Sequence, residues 1–150
     1  MKNKKTWIFF INILVFTFFS GITQVNSQET YNYFALQDLK QSLEYLIHGD
    51  YDNAILSCSR VLVRDPRSSV TYTIRARAYY EKGEIDRAIA DCNTAINLDR
   101  NNVSAYSIRG NAYAKKGDLQ NAVVNWQEVL RLSPENPEAI RNLEIAGHTQ

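Results

Sequence analysis

In residues 103–136, apolar and small side chains recur three and four positions apart, stop, and then recur again. Ala105, Tyr106, Gly110, Tyr113 and Ala114 form the first run. Lys116-Gly117-Asp118 interrupts it, with a glycine free to take the left-handed backbone a tight turn requires. Ala122, Val123, Trp126, Val129, Leu130 and Leu132 form the second run, and Pro134 stops it, because proline in a helix interior removes a hydrogen bond and clashes with the preceding turn. This pattern predicts a helix, a turn and an antiparallel second helix.

The script is written three times. Gly49, Gly83 and Gly117 lie 34 residues apart, within HGDYDNAI, KGEIDRAI and KGDLQNAV. A fixed period of this size marks a stacked array in which each unit buries its apolar face only against its neighbours. Ser42, Ala76 and Gly110 share one small slot, and Ala54, Ala88 and Ala122 share another. Small residues let helices approach closely, while Tyr45, Tyr79 and Tyr113 fill the space beside them. The units are 35–68, 69–102 and 103–136. Residues 137–150 read as a capping helix and tail, with Pro137 at the first helical position and Ala139, Ile140, Leu143 and Ala146 on one face. Residues 28–34, with Tyr31, Tyr33 and Phe34, read as a segment ahead of the first helix.

The front of the chain follows another pattern. KNKK at residues 2–5 precedes the apolar run Trp7–Phe19, and Val25-Asn26-Ser27 follows. This is the arrangement of a secretory leader, with a cut expected after Ser27. The run of 13 residues falls short of the roughly 20 of a spanning helix, and an uncleaved membrane anchor is the alternative. The chain is therefore expected to be exported: periplasmic, luminal or secreted, or else held at a membrane by residues 1–27.

Lys2, Lys4 and Lys5 lie ahead of that cut, so of 17 basic and 16 acidic residues, 14 and 16 remain beyond it. A net charge near −2 is not the footprint of a nucleic-acid binder. Cys58 and Cys92 are one period apart, hence equivalent sites on helices about 8–10 Å apart, too far for a disulfide. Both read as unpaired small core residues.

Chemistry-bearing residues are sparse. His48 sits in a turn and His148 in the tail; no cluster has metal-ligand spacing and no glycine-rich phosphate loop is present. Asp50 and Asp52 flank a turn, where acids favour a helix N-terminus. Asn102-Val103-Ser104 has the form of a glycosylation acceptor, a motif that arises often by chance. No catalytic residue, cofactor, metal or small-molecule substrate is expected, and the chain does not read as an enzyme.

The order Tyr106, Gly110, Tyr113, Ala122, Trp126, Pro134 resembles the tetratricopeptide repeat, and residues 35–136 match it three times in register. The resemblance implies an all-α fold: tandem antiparallel helix pairs in a short right-handed solenoid with a C-terminal capping helix. Gln41, Arg75 and Arg109 depart from it in a slot usually held by leucine; Asp38 replaces the first aromatic, and Arg100 replaces a proline.

The resemblance also implies a groove, lined by the first helix of each pair, that grips a peptide or protein segment. By slot its residues are Leu36, Leu39, Leu43 and Leu46, then Val70, Thr73, Arg77 and Tyr80, then Ser104, Ser107, Asn111 and Ala114, with Arg141 at the rim. Arg77 suits a carboxylate, Asn111 a peptide backbone, and Tyr80 offers an aromatic wall. A lysine–asparagine carboxylate clamp found in part of the family is absent, since its first-unit slots hold Leu39 and Leu43. The Leu36, Leu39, Leu43 and Leu46 row leaves the first helix apolar on more than one side, an edge for a partner or a second copy. Three readings stay open: an exported adaptor or scaffold, a membrane-anchored accessory subunit of an envelope complex, and a chaperone-like binder of extended segments.

Overall fold

The computed structural model describes residues 27–147. Apart from Ser27, the leader read in residues 1–27 lies outside them, as does His148. The chain divides into two units, residues 1–34 and 35–150. Every regular element among the described residues is a helix: α1 Ser27–Ile47, α2 Tyr51–Arg64, α3 Ser69–Lys82, α4 Ile85–Leu98, α5 Val103–Lys115, α6 Leu119–Leu132 and α7 Pro137–Ile145. Residues 28–34 thus belong to α1 rather than preceding it. Nothing in SQETYNYF breaks a helix, since it contains neither proline nor glycine.

Each pair turns by the same device. Gly49, Gly83 and Gly117 have φ of 75°, 87° and 82°. The next backbone N–H reaches back to the carbonyl of the tyrosine slot: Asp50 to Tyr45, Glu84 to Tyr79 and Asp118 to Tyr113, at 2.8–2.9 Å. The side chains of Asp50, Ser68, Asn102, Asp118 and Asn136 accept from the backbone of the helix each begins. The turn after α4 forms without the proline that Arg100 displaces: the Asp99 carboxylate accepts from the Asn101 N–H at 2.9 Å, as Asp65 does from Arg67 at 3.1 Å beside Pro66.

Within residues 35–147 the core is built from matched slots. The small slot is Ser42, Ala76, Gly110; Cys92 packs with Ala76, and the equivalent of Cys92 one period on is Trp126. A Cβ on Gly110 would lie 2.7 Å from Trp126 Nε1, so the largest residue faces the smallest. Cys58 and Cys92 are fully buried free thiols. Burial pushes the Cys92 thiol up to about 12.

The arginines in the leucine slot join three helices each. Arg75 on α3 donates from Nε and Nη2 to the two carboxylate oxygens of Asp91 on α4, at 2.7 and 2.9 Å, and from Nη1 to Ser59 Oγ on α2 at 3.1 Å. Arg109 on α5 repeats this one period on, with Asn125 on α6 at 2.7 Å and Asn93 on α4 at 2.7 Å. Each lies over the tyrosine three residues earlier, Tyr72 at 5.5 Å and Tyr106 at 5.3 Å. Asp91 is only 7% exposed, a burial the fork-shaped Arg75 contact makes tolerable. Turn-to-turn pairs, Lys82–Asp52 and Lys116–Asp86, both at 2.6 Å, repeat the same step at the surface. In the first unit, Asp38 in place of an aromatic accepts from Arg60 at 3.2 Å and from Arg64, tying α1 to α2 by charge.

Candidate functional site

The first helices α3 and α5, together with α7, frame an open pocket of about 370 Å³. Tyr80 comes from the end of α3; Asn111, Ala114 and Lys115 come from α5; Trp126 comes from α6; Glu138 and Asn142 come from α7. Pro137 at the start of α7, behind the Asn136 cap, sets that helix in place, and its buried Ala139 and Leu143 pack on the α6 core cluster.

Asn111 organises the floor. Its Oδ1 accepts from Trp126 Nε1 at 3.0 Å and from Asn142 Nδ2 at 3.1 Å, and its Nδ2 donates to Glu138 Oε1 at 2.8 Å. An indole N–H only donates, so the amide oxygen must face the tryptophan and the amide nitrogen must face the carboxylate. Ser107 Oγ donates to the other Glu138 oxygen at 3.2 Å. Elsewhere in the lining, Lys115 Nζ stands 5.0 Å from the centre of the Tyr80 ring. Among the described residues no buried side-chain polar atom lacks a hydrogen-bond partner, and no group of His, Cys, Asp or Glu has the makings of a metal site.

The structure therefore brings together Tyr80, Asn111 and Ala114 from the residues expected of the groove. Ser107 is buried and reaches the pocket only through Glu138. Thr73, half-buried and outside the lining, accepts through Oγ1 from Asn102 Nδ2 at 2.9 Å and donates to the Ser69 carbonyl at 2.9 Å. Arg77 pairs with Glu81 at 3.4 Å, and Arg141 is exposed on α7; neither lines the pocket. Leu39, Leu43 and Leu46 lie on α1 and do not line the pocket; Leu39 and Leu46 are half-buried, and Leu36 and Leu43 are exposed. The glycosylation-like Asn102 caps α5 through Oδ1, while its Nδ2 donates to both Ser69 Oγ and Thr73 Oγ1. Both amide hydrogens are taken.

The helical spacing marks Trp126 as core alone and does not single out Lys115, Glu138 or Asn142. Glu138 was within reach: it follows Leu36, Val70 and Ser104 by whole periods, the first groove slot carried on to α7. Asn142 was not, because its slot holds buried Ile74 and Ile108 in the preceding units.

Three helix pairs in register, closed by a seventh helix that completes a pocket on the first-helix side, define a short all-α helical-repeat solenoid. The TPR repeat model matches residues 76–117 and 110–143. The first TPR of Spaghetti (RPAP3), bound to the HSP90 peptide SRMEEVD, is 34% identical; the match covers 75% of this chain and 90% of that one, with a TM-score of 0.73. The first TPR domain of human RPAP3 is also 34% identical over 77% of this chain and 91% of that one, with a TM-score of 0.74. The Arabidopsis OM64 TPR domain shares the fold at 20% identity, over 78% and 97%, with a TM-score of 0.76. A comparison with curated proteins returns no match. This chain belongs to the tetratricopeptide-repeat family.

Proposed function

We propose that this protein is a non-catalytic interaction module that receives an extended segment of another protein along α3, α5 and α7. The observation that carries this reading is the pocket between Tyr80 and Asn111. It is open, walled by an aromatic ring and floored by fixed polar groups, as sites that orient a ligand tend to be. The Spaghetti domain, similar over most of its length, holds a heptapeptide, which supports a peptide as the ligand class. The leader pattern of residues 1–27 supports an exported module, with an anchored subunit as its alternative. Among the described residues no helix is long and apolar enough to cross a membrane. A chaperone-like role, or self-association, draws on the exposed Leu36 and Leu43 of α1.

The test is selection of random peptides on the immobilised full-length chain, followed by calorimetry. Ala114→Glu fills the pocket with a residue that keeps helix propensity. Loss of binding in this variant, with the thermal transition unchanged, supports the groove. Undiminished binding overturns it.

A further inference from the structure

Resting on the reading of this pocket as a peptide site, we infer that Glu138 is its specificity-determining residue and that the segment it takes presents a basic side chain. Glu138 lines the pocket and is held from behind. Asn111 Nδ2 and Ser107 Oγ donate to one oxygen each, fixing the carboxylate without neutralising it. A carboxylate has about four acceptor positions, so two remain for a ligand. Among the described residues no lysine, arginine or histidine nitrogen forms an ion pair with it. A negative charge set in place by neutral donors and left without a cation is complementary to a guanidinium or ammonium group.

The rest of the lining agrees. Lys115 Nζ already rests over the Tyr80 ring, so that ring face accepts a cation within the pocket. Lys115 itself is exposed and carried on a flexible stem, which an incoming arginine can displace. Arginine carries what each residue takes, a planar cation for the Tyr80 ring and a donor fork for the Glu138 carboxylate. An acidic side chain placed at Glu138 is repelled. The trait therefore belongs to α7: the helix that ends the stack also sets the charge of its binding site.

The experiment is selection of a random decapeptide library on the full-length chain and on Glu138→Gln, a substitution that keeps size and one acceptor oxygen. Wild-type selection is expected to enrich arginine or lysine at one position, and Glu138→Gln to lose that enrichment. For a selected peptide, Glu138→Gln and replacement of the peptide's basic residue by glutamine should each weaken binding about tenfold, with little further loss when combined. Lys115→Gln should strengthen binding of the same peptide. Acidic enrichment, or affinity indifferent to Glu138→Gln but abolished by Ala114→Glu, overturns the inference and leaves the groove standing. Peptides indifferent to both substitutions, or no peptides at all, overturn both.

Discussion

At the rear of the stack, Ala139 and Leu143 of α7 are 2% and 3% exposed, packed on the cluster of Val123, Trp126 and Val129. At the front, Leu36 and Leu43 of α1 are 68% and 42% exposed, and the one fully buried residue described on the helix is Ser42. A stacked array must do something with the apolar face at each end. The rear covers it with a short capped helix, and the same helix brings Glu138 and Asn142 to Asn111. The front keeps apolar side chains in the open and holds α1 to α2 partly by charge, through Asp38 with Arg60 and Arg64. One end is thus built for order and hydrogen-bonded recognition. The other offers greasy, weakly directional contact.

The contrast breaks most readily by deletion at the two ends. Leu143→Ala should cost about 2–4 kcal/mol in denaturant unfolding, while Leu43→Ala should cost less than about 1 kcal/mol. Equal losses would mean that the front is as closely packed as the rear. Gly110→Ala comes next: its methyl meets the Trp126 indole at 2.7–2.8 Å, and a loss of about 1–3 kcal/mol is expected, with a change in tryptophan fluorescence. Asp91→Asn gives the middle unit the Arg109–Asn125 chemistry of the third, one bond to an amide oxygen in place of two to a carboxylate; a loss of about 1 kcal/mol in unfolding free energy is expected.

A pH scan separates interior from surface. Burial raises the Cys92 thiol from an ordinary value of 9.0 to about 12, favouring its neutral form in the fold. Its contribution to stability is complete below about pH 9 and is lost as pH rises through about 12. At pH 8 a disulfide exchange reagent should label Cys92 only as fast as the chain opens, and denaturant should accelerate labelling. The smallest effect is expected at the turns: Lys82→Gln, removing surface pairs with Asp52 and Glu84, should leave the melting temperature unchanged within error.

Much of the fold was legible because a 34-residue period repeats each packing decision. The small slot at Gly110 is explained by Trp126, and the turn glycines by their positive φ. What was not legible depends on partners that sequence spacing does not name. Arg75 and Arg109 looked like departures from a leucine slot, and only three-dimensional contact with Asp91, Ser59, Asn125 and Asn93 turns them into cross-braces. Thr73 and Ser107 lie on the expected helices, but neighbouring side chains claim their hydroxyls. Asn142 of α7 breaks the period in composition, since a closing helix is freed from the packing that holds Ile74 and Ile108 in place.

The most direct test asks where a selected peptide lands. Backbone amide shifts of the labelled full-length chain, followed during titration, should move along α3, α5 and α7, centred on Tyr80, Asn111, Ala114 and Glu138, while α1 stays still. Shifts centred instead on Leu36, Leu43 and the exposed Leu56 and Val63 of α2, with the Asn111 network unmoved, would contradict the account and make the open front the working surface.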